Sequence, residues 1–494
     1  MKNKLFLVFC LCLLTFRLIA QPGTLDNTFD KDGKLTTGFS NNAIITGMKL
    51  QTDGKIVVCG NMGSSSILVR YNKIGELDKT FGTDGVKILA DIEKLNTMSI
   101  QPDQKIVVAG MSDNSFVMAR YHSTGALDTG FGSHGIKFLK IVDFSAHWNE
   151  IQNLIIEHDG NILVSGTTGF AASGPENSGI LLRFSKDGKS VIAKTGFQLP
   201  YLFPTSLSLQ KDGKIILVRP LEYNLGLAIS RYNPDLTLDT SFNKNGGQLI
   251  KLNLSDCYTL IQDDGKILVS GGSWAGVRID FAMVRCNIDG SLDSSFGNNG
   301  IVITNIQGNA NPVLAVLQPD GKIILSGEDE EKGLLIRYLK NGTIDSTFGI
   351  NGNSITTIGN AYEIRALLIQ TDGKIIAAGN SNNGTKYDFA LSRYHSGLNL
   401  GLPKPPHSRN FLLIFPNPIL NNSTIEYNLE KEDIISICLI DAQGKLIKTF
   451  FENIKQPQGH YKQTLSFPDN LASGDYYIIF SNPTNQTVVK ILKK

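Results

Sequence analysis

Short apolar or alternating runs separated by turn residues recur along most of the chain. Residues 97–101 alternate polar with apolar side chains, residues 106–109 are β-branched and apolar, and residues 116–121 form a third extended run. A fourth run at residues 136–139 follows a polar, glycine-rich connection. Runs of this length and alternation are typical of β-strands. The pattern predicts units of four antiparallel strands.

A phrase built around Asp-Gly-Lys-Ile returns seven times between the first and second predicted strands of a unit. Two clear copies occupy residues 51–56 and 318–323, and successive aspartates lie 50 to 56 residues apart. This period suits one four-stranded propeller blade, and Asp-Gly favours a tight hairpin. We interpret the following as structural turn residues: Asp53, Gly54, Asp103, Asp159, Gly160, Asp212, Gly213, Asp264, Gly265, Asp320, Gly321, Asp372 and Gly373. The chain is thus predicted to be all-β, with a seven-bladed β-propeller.

A second phrase, Leu-Asp-x-x-Phe, joins the third strand to the fourth. Its copies begin at Leu25, Leu77, Leu127, Leu238, Leu292 and, with isoleucine, Ile344. We expect the leucine and phenylalanine to fill the seam between neighbouring blades. The repeat weakens mid-chain, where residues 184–189 run on without this phrase and Arg219 replaces a strand-ending glycine. Blade packing is hardest to predict there.

The two ends of the repeat region are complementary. Residues 33–37 look like a fourth strand that precedes the first full copy, whereas the last copy ends at Tyr394 without one. We therefore expect the N-terminal strand to complete the C-terminal blade, which would remove an open sheet edge. About residues 23–397 resemble the delta-60 repeat family of bacterial secreted proteins. The resemblance implies a β-propeller fold and no particular activity.

The first twenty residues have the layout of a secretory signal peptide. Lys2 and Lys4 precede an apolar run at residues 5–16, and Ala20 precedes the expected cleavage site. The alternative is an N-terminal membrane anchor, although the run is short for a span. We assign residues 1–20 to the signal and 21–398 to the propeller. With 47 basic and 45 acidic residues there is no global charge to attract nucleic acid.

The pattern changes after the propeller. Residues 399–410 are proline-rich and predict a linker, and residues 411–494 predict a small C-terminal β-sandwich. This tail resembles the type A C-terminal sorting domain of the Bacteroidetes type IX secretion system, with Phe-Pro-Asn-Pro at residues 415–418 for the usual Tyr-Pro-Asn-Pro. The resemblance implies contact with that machinery and export to the medium or the outer-membrane surface. The alternative is an immunoglobulin-like binding sandwich.

Little in the sequence points to chemistry. It has no His-Glu-x-x-His or Gly-x-Ser-x-Gly, so we expect no metal and no cofactor. Cys257 and Cys286 would lie two strands apart in one blade, too far for a disulfide. An arginine recurs on the third strand and could suggest an anion site, but pairing with the aspartate of Leu-Asp-x-x-Phe fits its position better. These arginines are Arg70, Arg120, Arg183, Arg231, Arg285, Arg337 and Arg393.

Two tryptophans lie outside the repeat pattern. Trp148 falls in a long interval between copies, and Trp274 falls in a hairpin. Exposed aromatic side chains on loops are suited to glycan or protein contacts, although a loop can also fold its own aromatic inward. We expect a non-enzymatic protein that recognises an extracellular protein or carbohydrate. The alternatives are a hydrolase or lyase acting on extracellular polysaccharide and a structural envelope or adhesion component.

Overall fold

The chain divides into two compact units, Met1–Asn399 and Leu400–Lys494. The computed structural model describes residues 20–140, 148–169, 178–198, 206–221, 225–275, 278–306, 313–398, 412–415, 419, 421–429, 432–441, 445–468, 471–482 and 486–493. The predicted linker and all but the last residue of the predicted signal peptide lie outside these ranges. Within them the only helix is a single 3-10 turn, Phe242–Lys244, and no helix is long and apolar enough to cross a membrane.

The described part of the first unit consists of one N-terminal strand, β1 (Lys34–Thr37), and consecutive sets of antiparallel strands. The first three sets are β2 (Ala43–Leu50), β3 (Ile56–Met62), β4 (Ser65–Tyr71), β5 (Val86–Leu89); β6 (Lys94–Ile100), β7 (Ile106–Ser112), β8 (Ser115–Tyr121), β9 (Ile136–Leu139); and β10 (Trp148–Ile156), β11 (Ile162–Gly169), β12 (Ser178–Phe184), β13 (Val191–Gln198). Each set forms one four-stranded sheet in chain order.

Three more four-stranded sheets follow in chain order, and a last set of three strands is completed by β1. The sets are β14 (Ser206–Leu209), β15 (Ile215–Leu221), β16 (Gly226–Tyr232), β17 (Gly247–Ile250); β18 (Leu254–Ile261), β19 (Ile267–Ala275), β20 (Arg278–Cys286), β21 (Ile301–Thr304); β22 (Leu314–Leu317), β23 (Ile323–Asp329), β24 (Lys332–Tyr338), β25 (Asn353–Thr356); and β26 (Ala361–Ile369), β27 (Ile375–Asn382), β28 (Tyr387–Tyr394). β1 is the fourth strand of this last sheet. The described part of the first unit thus forms seven four-stranded sheets.

Closure by the N-terminal strand is confirmed. β1 pairs antiparallel with β28, with Lys34 opposite Ser392, and the backbone N–H of Asp26 donates to the carbonyl of Arg393 at 2.8 Å. Each sheet packs on its neighbour through inner strands, and the seventh packs on the first. The side chain of Asn380 accepts a 2.8 Å hydrogen bond from the N–H of Ile45 across that last junction. The seven sheets therefore form a closed ring.

Strand position explains the hydrophobic pattern. Second strands such as β3 are apolar on both faces because neighbouring sheets cover both, and Ile56, Val57 and Val58 are fully buried. Outermost strands such as β5 have only four residues and one buried side chain. Short outer strands limit the exposed sheet edge.

The second unit contains two sheets around a core of its own. Its strands are β29 (Leu412–Phe415), β30 (Asn422–Leu429), β31 (Asp433–Asp441), β32 (Leu446–Gln456), β33 (Gly459–Ser466), β34 (Gly474–Ser481) and β35 (Gln486–Lys493). The strand orders are β29-β30-β33 and β32-β31-β34-β35. Alternate residues of β30, including Ile425 and Tyr427, join Ile437 and Phe480 of the other sheet in one hydrophobic cluster.

Candidate ligand-binding face and channel

The two ends of the sheets differ in how much their connections vary. First and second strands are joined by five residues in every sheet, as at residues 51–55 and 370–374. Third and fourth strands are joined by fourteen residues in five sheets, as at residues 72–85 and 339–352. Antiparallel pairing places all of these connections at one end of the ring. We call this end the constant face.

The opposite end, the variable face, holds the second-to-third strand hairpins and the passages from one sheet to the next. The hairpins range from two residues at 63–64 to eight at 170–177, and the passages range from three at 251–253 to nine at 305–313. Loops that vary in length on a rigid scaffold are the usual carriers of binding specificity. The variable face is therefore where ligand-specific contacts are expected.

The repeated Asp and Gly residues lie in the turns of the constant face. In the first copy the Asp53 carboxylate accepts from the backbone N–H of Lys55 at 3.1 Å, and Gly54 has a φ of +83°. That φ favours glycine because it lacks a Cβ. In the second copy Gln104 adopts the same conformation, with a φ of 68°. The geometry is that of structural turns.

The recurring arginine connects neighbouring sheets at the constant face. Arg120 Nε lies 2.8 Å from Oδ2 of Asp128, which also receives Lys105 Nζ at 3.1 Å. The guanidinium lies 4.9 Å from the ring centre of Phe131, and its Nη1 donates to the carbonyl of Lys186 in the next sheet at 2.7 Å. Burial would raise the pKa of Asp128, but hydrogen bonds from Lys105 and the backbone, with the charge of Arg120, hold that pKa at about 2. The arginine therefore clamps neighbouring sheets together.

Equivalent pairs recur around the ring, and the predicted arginine–aspartate pairing is confirmed. The other pairs are Arg70–Asp78, Arg231–Asp239, Arg285–Asp293, Arg337–Asp345 and Arg393–Asp26. Each nearby phenylalanine stacks on its arginine at 4.3 to 4.8 Å in these five copies.

The seam prediction for Leu-Asp-x-x-Phe is confirmed for the phenylalanine and only in part for the leucine. Leu25, Leu127 and Leu292 pack against clusters that join neighbouring sheets, whereas Leu77, Leu238 and Ile344 are exposed. Phe81 is fully buried and its ring lies against Gly125 in the turn of the following repeat, where a Cβ would approach within 3.1 Å. Leu77 instead covers Gly85 of its own repeat and remains 36% exposed. Leu77 stays partly exposed because its own turn, not the neighbouring sheet, provides its contact.

The third sheet replaces the missing aspartate. Residues 184–189 lack Leu-Asp-x-x-Phe, and Arg183 pairs instead with Glu157, with Nε–Oε2 and Nη2–Oε1 distances of 2.7 Å each. Other repeats carry glutamine at the position of Glu157, for example Gln101. Sequence reasoning missed this pair, although the Gln-to-Glu change in the one repeat without the phrase was the available signal.

The two predicted aromatic binding residues both belong to strands that reach the variable face, but they lie in different sheets. Trp274 is near the end of β19, opposite Ile279, and 59% of its surface is exposed. Trp148 begins β10 opposite Gly169, and its side chain is outside the described set. The third and fifth sheets are not neighbours, so the structure does not bring the two residues together through one sheet.

The inner strands of all seven sheets surround an axial channel of about 440 Å³. Near its variable-face end, Glu150 pairs with Lys94 at 2.6 Å and accepts from Asn96 at 2.7 Å, while Glu363 pairs with Arg365. Within the ranges that the structure describes, no group of three or more His, Cys, Asp or Glu side chains could hold a metal ion.

Comparison with known families agrees with this architecture. Residues 51–81, 101–131, 210–242, 262–296, 318–348 and 370–400 match the family described as Domain of unknown function (DUF5122) beta-propeller, and residues 413–494 match the Secretion system C-terminal sorting domain. The chain carries DUF5122 β-propeller repeats and a type IX sorting tail. The matched ranges leave out the third repeat, which lacks Leu-Asp-x-x-Phe. The tail directs this protein through the type IX secretion machinery, so it is secreted or displayed at the cell surface of a Bacteroidetes bacterium.

Solved structures show similarity of fold alone. A catalytically inactive virginiamycin B lyase from Staphylococcus aureus is 13% identical, with 73% of this chain and 98% of that chain covered and a TM-score of 0.46. The polysaccharide lyase Uly1 is 11% identical, with 73% and 91% covered and the same TM-score. A puromycin hydrolase is 11% identical, with 83% and 62% covered and a TM-score of 0.46. No curated protein matches the chain by sequence.

Proposed function

We propose that the DUF5122 propeller is a non-enzymatic recognition module, exported by its tail, that binds an extracellular protein or carbohydrate through the variable face. The observation that carries this proposal is the difference in connection length between the two faces. At one end, with the arginine clamps, the connections have five residues in every sheet or fourteen in five sheets, whereas the connections at the other end are unequal in length. Trp274 adds an exposed aromatic surface to that second end.

The carboxylates near the channel mouth support a binding role over catalysis. A hydrolase or lyase needs an acid or base that is free to exchange a proton with its substrate. Glu150 is engaged by Lys94 and Asn96, and Glu363 is engaged by Arg365. Both are therefore used as partners of neighbouring side chains.

The test is a glycan array and a cell-surface pulldown with the mature chain. We expect Trp274→Ala to weaken the interaction that these screens identify. Ile350→Ala is the matched control because Ile350 is 79% exposed but lies on the constant face. Equal loss in both variants, or binding unaffected by changes on the variable face, would count against the proposal.

One observation favours the alternative of a polysaccharide hydrolase or lyase. Burial raises the pKa of Glu328, and the nearby charges of Glu363 and Glu331 raise it further. A carboxyl of this kind can serve as a general acid. The test measures the release of reducing ends and the absorbance of unsaturated products from acidic polysaccharides. It compares the parent chain with Glu328→Gln. Turnover that the parent chain shows and Glu328→Gln lacks would establish that the protein is an enzyme.

A further inference from the structure

The axial channel has an unusual distribution of charge. Its described lining comes from the inner strands of all seven sheets and includes two cations, Lys49 and Arg365, but no Asp or Glu. Leu207, Leu314 and Leu367 contribute apolar wall. Much of the remaining lining is polar but uncharged, as at Asn96, Gln152 and Ser208. A cation enclosed in a channel acts through a lower effective dielectric constant than a cation on an open surface. The channel is therefore attractive to negative charge.

Lys49 lines this channel and has no ion-pair or hydrogen-bond partner within the described part of the chain. Its side chain remains accessible to water, yet the surrounding protein desolvates the ammonium enough to lower its pKa. Lysines of the constant face behave differently, since Lys105 lies 3.1 Å from Asp128 and Lys214 lies 2.8 Å from Asp239. The ammonium therefore lies in the channel without a protein anion beside it and is free to pair with an anionic ligand.

A second unpaired donor faces the same channel. Tyr258 on β18 lines it from the fifth sheet, which does not adjoin the first sheet that carries Lys49. Tyr258 is 36% exposed and its hydroxyl makes no hydrogen bond to the described residues. Desolvation by the surrounding protein raises the pKa of this hydroxyl, so the O–H is retained at neutral pH. Arg365 is different because Glu363 already holds it. Two solvent-accessible donors on non-adjacent strands are therefore available to the acceptor atoms of a ligand in the channel.

We propose that the axial channel binds one oxyanionic group, a carboxylate, sulfate or phosphate on a small extracellular molecule, with Lys49 as its charge partner and Tyr258 as a hydrogen-bond donor. The volume of about 440 Å³ is within the range of small-molecule sites. This site is separate from the loops of the variable face. Its success or failure is therefore independent of the recognition proposed above.

Calorimetric titration of the mature chain tests the site with four related sugars. Glucuronate, glucose 6-sulfate and glucose 6-phosphate carry the three candidate groups, and glucose is the neutral control, all at the same sodium chloride concentration. We expect at least one of the anionic sugars to bind and glucose not to bind. The sugar that binds most tightly identifies which of the three oxyanionic groups the channel prefers.

Variants then assign the contacts. Lys49→Met should reduce affinity about tenfold or more, since hydrogen bonds to charged groups contribute about 1.5–3 kcal/mol. Tyr258→Phe should cause a smaller loss, and Lys49→Arg should keep part of the affinity. Lys251→Met is the control because Lys251 is an exposed lysine outside the channel. Unchanged thermal melting of Lys49→Met verifies that its fold is intact.

Three results would overturn the proposal. The first is the absence of binding by all three anionic sugars, and the second is equal binding of glucose. The third is a Lys49→Met chain that is folded and binds as tightly as the parent.

Discussion

Replacing Glu157 by glutamine should destabilise the propeller, even though all six other repeats carry glutamine at this position. Glu157 is the acidic partner of Arg183, and its two carboxylate oxygens accept from Nε and Nη2 at 2.7 Å each. Both side chains are only 11% exposed. Glutamine removes the charge and replaces one acceptor by a donor that faces a guanidinium.

The magnitude follows from burial. Removing one partner of a fully buried ion pair costs about 3–5 kcal/mol. Residual exposure and the remaining amide oxygen reduce this, so we expect a loss of about 2 kcal/mol in the free energy of unfolding. Elsewhere the same glutamine is harmless because an aspartate such as Asp128 holds the arginine.

Urea unfolding of the mature chain measures the effect as a lower midpoint at an unchanged m-value. Glu93→Gln is the control, since Glu93 is exposed and has no ion pair among the described residues. The double variant Arg183→Met with Glu157→Gln should recover part of the loss, because it removes the stranded charge but also the hydrogen bond from Arg183 to the carbonyl of Pro234 in the next sheet. A single variant as stable as the parent, or a double variant less stable than the single one, would refute the reasoning.

Three further outcomes are expected. Removing residues 21–37 should lower the melting temperature and cause aggregation, because β28 loses β1 as a partner strand and Arg393 loses Asp26. A truncated chain with the melting temperature and solubility of the parent would contradict closure. Stability should fall as the pH drops from about 4 towards 2, because the folded-state pKa of about 2 for Asp26, Asp78 and Asp128 lies below the ordinary value of 3.8; melting temperatures independent of pH in this window would show that the carboxylates contribute nothing. Deleting residues 411–494 should leave the propeller in the periplasm, and residues 399–494 should export a fused reporter; fractionation that finds the deleted form at the surface would disprove the role of the tail.

The repeat-based predictions succeeded where one residue type has one local role. Asp53 and Gly54 form a turn because the turn needs a side-chain acceptor and a positive φ, and both needs can be read from the sequence. The unmatched strand at residues 33–37 likewise predicted which strand completes the last sheet. The sorting tail was recognisable because its motifs cover the whole segment.

The predictions that failed or were missed concern contacts between repeats. Leu77 and Phe81 are both apolar residues of one phrase, yet only the phenylalanine reaches the next repeat. The partner of Arg183 is Glu157 in the connection between β10 and β11, instead of an aspartate in the connection after its own strand. Such choices depend on distances across a seam that linear spacing does not encode.

By itself, the sequence determined the all-β repeat, its turn chemistry, its closure and its route of export, because each depends on local spacing or on the count of strands. Only the tertiary structure decided that Lys49 and Tyr258 face one channel. Bulges in the inner strands, between Ile45 and Gly47 and between Ser255 and Tyr258, shift the register there. A bulge interrupts the alternation of side chains along a strand, so a period of two cannot reveal which residues point to the axis.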